Sequence, residues 1–537
     1  MQIQLQQIEG YAYGALQSSI IIRFSGIRMP SNDFMKRLKF FRSCLSESEY
    51  DDQFANTTEI QESEIFTTTF VSTIDAINQY CGDQRFTPIT IFCEADALCF
   101  ALPTLSPKLS AFNINNFASF LTKSKPHIDK KDVLSLATQL KNTVRPLLPS
   151  GTNAVSFIAA AAHRRIPFKI FNRKYVIFGY GNSTRIFNSS ITDQESAVGV
   201  RLAKSKVDTN HLLKMSGFPV TTQFRVNTID DAVRIADEID YPLVLKPLDE
   251  EQGRGIYANI VDEVELRDAF SKSKNNYKNL ILEKFVVADA YRVHVQYGKV
   301  KELWKMIPAS ITGNGTSSVL ELIEIENNTP ERTSLDTASK PIPLDEVTNL
   351  NLQKIGLTLS SVPEKDQVIY LAATSNVSRG GKAESCLSIL HPKNADLCIQ
   401  AAHTLGLDIC GIDLLSLDAS VPWDENNAVI CEINSQPQFG DLKNYPHLYD
   451  DVMDRLPTSN PKISLYVSNK FSQNQISLFN KSLTELEIKC TPTYLLKNGC
   501  PTQYFDTLSF SADISTNEHE KLKQILVSIK PGIGSTK

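Results

Sequence analysis

Two groups of residues in this 537-residue chain have the types and spacing of a site that handles phosphate and a metal ion. The first lies in Tyr241–Gly255, YPLVLKPLDEEQGRG. Leu243, Val244 and Leu245 read as a buried strand leading into Lys246, and a lysine at the end of an apolar strand is costly unless an anion meets it. A run of carboxylates and Gly253-Arg254-Gly255 follow, and such a loop brings backbone N–H groups up to phosphate oxygens. A solvated lysine before an ordinary turn is the plainer reading of the same stretch. The second group lies in two apolar segments, Ile409–Leu417 and Ala428–Asn434. Glu432 and Asn434 are two residues apart and share one face of a strand. Asp413 interrupts the other strand, and pairing the two as a hairpin brings it near Glu432. Carboxylates clustered on a half-buried face repel, and a divalent cation relieves the repulsion. Mg²⁺ suits such oxygen ligands and commonly bridges protein carboxylates to nucleotide phosphates. Two unrelated polar residues at a sheet edge are the alternative here.

The elements that must position these residues follow from period and punctuation. In residues 1–150, Ser19–Phe24, Thr67–Val71 and Ile89–Cys93 read as strands, Lys130–Val144 as a helix and Glu47–Glu64 as an acidic loop or weak helix. Asn153–Arg165 is an alanine-rich helix capped by Thr152 and stopped before Pro167. Arg173–Phe187 reads as a hairpin about Gly179-Tyr180-Gly181. It lacks the third glycine and following helix of a dinucleotide-binding turn. Thr192-Asp193-Gln194-Glu195 reads as a capping box opening a helix to about Ser216, with Lys204, Lys206 and Lys214 as solvated side chains. Asp230–Ile239, Glu263–Ser271, Val319–Asn327 and Pro392–Leu405 read as helices, the last closed by Gly406. Asn279–Val287 reads as a strand containing Glu283, and Tyr291–Pro308 as a hairpin turning at Tyr297-Gly298-Lys299. Gln367–Thr374 reads as a strand ended by the turn Asn376–Gly381. The last stretch, Lys462–Lys537, reads strand–helix–strand–strand–helix, a small α/β module.

Composition narrows the function classes. With 42% hydrophobic and 21% charged residues the chain is an ordinary globular one, long enough for roughly three or four domains or subdomains. A net charge of -5 supplies no basic field, which argues against nucleic acid as a partner. The opening MQIQLQQIEGYAYG lacks the basic and apolar regions of a signal peptide. No apolar run approaches the ~18–20 residues of a membrane span. Ten scattered cysteines without a CxxC pair fit reduced, buried thiols. The expectation is a cytoplasmic protein with no membrane partner.

Taken in order, the lysine, the glycines and the distant Asp, Glu and Asn on paired strands resemble the ATP-grasp ligases, and in detail the ATP-grasp half of the cyanophycin synthetase family. The resemblance runs from about Arg164 to Asp441. It is carried by RRIPFKIF, ITDQESAVGVRLAKSK, YPLVLKPLDEEQGRG, LILEKFVVADAYRV, LIEIENNTPERT, TSNVSRGG, LHPKNADLCIQAAHTLGLDICGIDLLS and VICEINSQP. It implies an α/β (α+β) chain with an ATP-grasp fold over 161–456, whose lid subdomain spans about 210–285. An N-terminal α/β accessory domain (1–160) and the C-terminal module (457–537) complete the expectation. ATP and Mg²⁺ are the implied cofactors. Lys206 and Lys246 match the pair that holds ATP phosphates and adenine, and Gln252, Gly253, Arg254 and Gly255 the loop over the phosphates. Glu283, Lys284, Phe285 and Val286 match the hinge at the adenine edge, and Asp289 is a candidate for the ribose. Asp413, Glu432 and Asn434 match the Mg²⁺ ligands. Arg292 matches the arginine that holds an acyl-phosphate or a substrate carboxylate, and with Lys246 is the implied catalytic pair. Asn376, Ser378, Arg379, Gly380 and Gly381 fall in the loop at the substrate end.

The resemblance implies an ATP-dependent carboxylate–amine ligase working through an acyl-phosphate. It would join an amino acid or short peptide to an amino acid, as a homo-oligomer. The departures bear on the substrate. Gln252 stands where the family has a histidine, a plausible base for the incoming amine. Ala290 replaces an acidic residue, Leu371-Ala372-Ala373 stands where arginine is favoured, and Arg379 is a new basic residue. No P-loop follows Pro457, so this stretch should not make cyanophycin alone. A catalytically weakened ATP-grasp protein acting as a nucleotide-dependent binding or scaffold module is the alternative. An acid–thiol ligase is not supported, since the chain shows no CoA-binding nucleotide fold.

Overall fold

The computed structural model describes residues 2–27, 30–45, 54–55, 62–94, 97–123, 128–149, 152–248, 255–329, 332, 340–372, 375–457, 461–526 and 529. The chain divides into two units, Met1–Ser189 with Tyr449–Lys537, and Ser190–Leu448.

The first unit holds a five-stranded sheet in the spatial order Gln2–Ile8, Ser19–Ser25, Ala97–Pro103, Ile89–Glu94, Phe54–Ala55. The SIII run of Ser19–Ser25, three isoleucines after a serine, fits a strand with neighbours on both sides and is fully buried. Thr67–Val71 is not a strand but part of the helix Glu62–Tyr80. The β-branched residues are tolerated there because the Thr69 and Thr73 hydroxyls donate to the carbonyls one turn back, at Ile65 and Thr69. Near the C-terminus, Lys462–Val467 lies between Glu485–Cys490 and Thr507–Phe510 in a parallel sheet. The order along the chain is strand–strand–helix–strand–helix, so the helix expected after the first strand is absent among the described residues. Ile463, Leu465, Ile488 and Leu495 share one core with Ile8, Ile21 and Cys99 of the N-terminal sheet.

The second unit begins with two short helices rather than one. Ala197–Ala203 is capped by Ser196, and α1 (Lys206–Met215) by Ser205. Thr192 does not cap; Glu195 instead accepts from the Asp408 and Ile409 N–H groups. Strands β1 (Gln223–Val226), β2 (Leu243–Pro247), β3 (Tyr257–Ile260) and β4 (Leu280–Lys284) form an antiparallel sheet in the order β1-β4-β2-β3. Alternation divides its two faces. Leu243, Leu245, Leu280 and Leu282 pack with Ile235 and Phe270 of α2 (Ile229–Ile239) and α3 (Glu263–Asn276). Val244, Lys246, Ile281 and Glu283 are left on the opposite face. Thr228 and Asp262 cap α2 and α3.

The chain then makes a hairpin of β5 (Asp289–Gln296) and β6 (Lys299–Ile307). It leaves through a small subdomain of β7 (Ser310–Thr312), α4 (Val319–Asn327), α5 (Glu346–Lys354) and β8 (Val368–Tyr370), with its own core about Ile311, Ile323, Leu352 and Ile369. It returns as β9 (Lys382–Ser385), followed by α6 (Pro392–Leu405), β10 (Ile409–Ser416) and β11 (Val429–Asn434). The second sheet is antiparallel in the order β9-β6-β5-β10-β11. Its apolar face, with Val293, Leu303, Ile412, Leu414 and Ile433, packs with Leu397, Ala401 and Leu405 of α6 and Leu213 of α1. Among the described residues no helix is long and apolar enough to cross a membrane, and all ten cysteines are free.

Candidate functional site

The polar face of the second sheet carries a row of charge. Arg292 on β5 lies opposite Asp413 on β10, and Asp413 lies opposite Glu432 on β11. Opposite residues in antiparallel strands present side chains to the same face, so the three stand side by side across three strands. Arg292 holds Asp413 through two N–H groups, with Nη2 donating to Oδ2 at 3.1 Å and Nε to Oδ1. This fork geometry fixes the carboxylate plane. Gly411, one pleat away on the same face, makes room for the arginine, since a Cβ there would lie 3.0 Å from Arg292 Cδ. Asn434 lies opposite Gly411. The β10–β11 register shifts between Asp413 and Leu414, leaving Cys431 as the extra residue of a bulge beside Glu432.

Glu432 is the electrostatic centre. Burial and the adjacent Asp413 raise its carboxyl above the usual range, against the pull of Lys206, Lys246 and Arg292. Lys206 reaches it from the first turn of α1, which the break at Ser205 places beside β11; Lys206, Thr209, Cys431 and Glu432 line one small cavity. Lys246 projects from the polar face of the first sheet and ion-pairs with Glu283 of the adjacent strand, both nearly excluded from solvent. Burial alone would lower the lysine's pKa, but Glu283 and Glu432 outweigh it and hold the ammonium charged well above the ordinary range. Three cations thus converge on two adjoining carboxylates.

The donor set Asp413, Glu432 and Asn434 offers only oxygen to a metal, which fits Mg²⁺. Among the described residues no cluster of three or more His, Cys, Asp or Glu is arranged to hold a metal ion. Two carboxylates and an amide suit a cation whose remaining ligands are water and substrate phosphate.

The hinge residues divide. The Lys284 and Phe285 N–H groups donate to the Thr222 and Pro242 carbonyls, each at 3.0 Å. The Lys284 ammonium donates to the Asp240 and Tyr241 carbonyls, so its side chain braces the turn into β2. Val286 lies past the end of β4 and is half-buried. Asp289 pairs with Lys305 at 2.6 Å. Gln252, Gly253 and Arg254 lie outside the described residues. Gly255 has φ +68, and a Cβ there would lie 2.6 Å from the Tyr277 ring. Gly255→Ala is expected to destabilise the protein by about 1–2 kcal/mol from the left-handed backbone alone, measured by urea unfolding.

The loop at the expected substrate end is a tight, tethered turn. Asn376 Oδ1 accepts from the Ser378 N–H at 2.9 Å, and the Gly381 N–H donates to the Asn376 carbonyl at 3.0 Å. Gly380 is left-handed at φ +89, where a Cβ would meet Ile342 at 2.6 Å. Arg379 Nη2 donates to Asp345 Oδ2 at 2.6 Å, and buried Arg332 donates to the Gly380 carbonyl at 2.8 Å.

His294 and Glu302 were not singled out from the sequence. They face each other across the β5–β6 hairpin, on the same face as Arg292 and Trp304. The signal available was their two-residue spacing from Arg292 and Trp304. Glu302 is buried and accepts from Ser385 Oγ at 2.8 Å. His294 is fully buried between Trp304 and Phe439, and burial first, then Arg292, lowers its pKa to about 3. A histidine neutral in the fold but charged when unfolded contributes stability that is complete above its ordinary 6.5 and is lost as pH falls toward 3. The slope it adds is about 1.4 kcal/mol per pH unit. His294→Phe is expected to remove that slope between urea titrations at pH 6 and pH 5.

Residues 372–448 match the RimK-like ATP-grasp domain. The chain is 35% identical over 292 residues to the cyanophycin synthetase of Nostoc sp., covering 54% of this chain and 32% of that one. It is 30% identical over 249 residues to the glutathione biosynthesis bifunctional protein GshAB of Mannheimia succiniciproducens, covering 44% and 32%. The chain spans about a third of the length of these curated relatives. Among solved structures it is similar to a bifunctional glutathione synthetase from Pasteurella multocida, at 22% identity and TM-score 0.41, covering 65% of this chain and 50% of that one.

Proposed function

We propose, from the premise that the chain carries a RimK-like ATP-grasp domain, that it is an ATP-dependent ligase. It joins the carboxylate of an amino acid or short peptide to the amine of an amino acid, releasing ADP and phosphate. The observation that carries the reading is the convergence of Lys206, Lys246 and Arg292 on the Asp413–Glu432 pair. Phosphoryl transfer asks of a protein chiefly positioning and charge neutralisation. Lys246 and Lys206 supply fixed positive charge for phosphate oxygens, and the segment about Val286, past the end of β4, would take the adenine edge. Asp413, Glu432 and Asn434 would hold Mg²⁺, which when bound neutralises phosphate charge.

The chemistry runs in two steps. A substrate carboxylate oxygen attacks the γ-phosphorus and the bond to ADP breaks, leaving an acyl-phosphate. The amine nitrogen then attacks the acyl carbon, phosphate leaves with the bonding pair, and the nitrogen gives up a proton. Arg292 is placed to hold the acyl-phosphate or the substrate carboxylate. The turn 376–381, fixed by the left-handed Gly380, the Gly381 N–H bond to Asn376, and by Asp345 and Arg332, supplies a rigid edge for the substrate. Incubating the protein with Mg-ATP and pooled amino acids and dipeptides should give ADP release that depends on a pool, together with a new amide mass. Nucleotide binding with no product from any pool would instead make the chain a nucleotide-dependent binding module.

A further inference from the structure

The small subdomain between β6 and β9 touches both sides of the site through one helix. Asp345 caps α5 and takes Arg379 of the turn 376–381 at 2.6 Å. The next residue, Glu346, takes Lys272 of α3 at 3.2 Å. At the other end of α5, Lys354 pairs with Glu265 of α3 at 3.3 Å and donates to the Asn259 carbonyl of β3 at 3.1 Å. A cavity of about 120 Å³, lined by Tyr257, Ala269, Val347 and Leu350, lies between the helix and the first sheet. Polar struts at the two ends of α5 therefore join the parts where packing is incomplete.

We infer that Asp345 and Glu346 are positioning residues that tie the nucleotide side of the site to its substrate-side turn through α5. The inference rests on the nucleotide reading above. Phosphates held by Lys246 fix β2, and β3 and α3 follow because they share its sheet and core. The struts then transmit the constraint to α5, and the Asp345–Arg379 pair passes it to the turn. Two adjacent carboxylates, each bound to a different part of the site, make the order of the nucleotide side and of the turn interdependent.

Hydrogen exchange with Mg-ADP as the probe tests this. In the unaltered protein Mg-ADP should slow exchange at α3 and, by about five-fold or more, at the Gly380 and Gly381 amides, whose N–H groups close the turn. Glu346→Lys should keep the protection at α3 and weaken it at the turn, since only the Lys354 struts then tie α5 to α3 and β3. The swapped pair Glu346→Lys with Lys272→Glu should restore it, which a merely structural role for either residue does not require. Mg-ADP binding that protects α3 but leaves the turn unchanged in the unaltered protein overturns the coupling. So does protection of the turn that is undiminished in Glu346→Lys. No binding of Mg-ADP by calorimetry overturns the nucleotide reading itself, and the coupling with it.

Discussion

Replacing Lys246 with methionine should cost both stability and turnover, and a second substitution separates the two. The ammonium is buried against Glu283, and removing one partner of a buried pair strands the other charge, at about 3–5 kcal/mol. The Glu432 carboxylate also helps to hold the same ammonium charged. Loss of a fixed positive charge at transferring phosphate should lower turnover by about 100- to 1,000-fold. In Lys246→Met with Glu283→Leu, neither charge is stranded, and a matched apolar pair in a buried site is often neutral or stabilising. The double variant should regain most of the unfolding free energy while its ADP release stays low. Recovery of turnover along with stability would make Lys246 a structural residue only.

The second large effect is expected at Glu432. Its carboxyl is raised by burial and by Asp413, and three cations offset that cost. Glu432→Gln keeps the shape and hydrogen-bonding oxygen but removes one of the two charges that would hold Mg²⁺. ADP release should fall by about 100-fold or more, and the Mg²⁺ concentration for half-maximal rate should rise about 10- to 100-fold. Because the substitution also relieves carboxylate repulsion, stability without Mg²⁺ should be unchanged or higher. Full activity with an unshifted Mg²⁺ dependence would remove Glu432 from the metal site.

How much of this was legible in the sequence follows from how far apart the partners lie. The Asp413–Glu432 juxtaposition could be read because both residues sit on neighbouring strands of one hairpin, where apolar alternation sets the register. Pro392–Leu405 and Lys130–Val144 form where their periodicity and caps place them. The Lys246–Glu283 pair could not be read in this way, since β2 and β4 are separated by β3 and α3 and no local rule sets their register. Lys206 looked like one more solvated lysine because the break at Ser205, which turns α1 toward β11, leaves only a serine as its mark. Thr67–Val71 misled by propensity, which tertiary burial and hydroxyl-to-carbonyl bonds overrode. The struts of α5 join residues some 30 to 100 positions apart by single charges, a pattern that composition does not reveal.

The most direct test of the central claim is the fate of the carboxylate oxygens. Once a pool supports ADP release, its amino acids and dipeptides are supplied with oxygen-18 in their carboxyl groups and the released phosphate is weighed by mass spectrometry. An acyl-phosphate route transfers one labelled oxygen to each phosphate, and the phosphate should appear in step with the new amide. Unlabelled phosphate, or phosphate released with no amide, would mean that the residues gathered about Glu432 only hydrolyse or bind ATP, and the ligase account would be wrong.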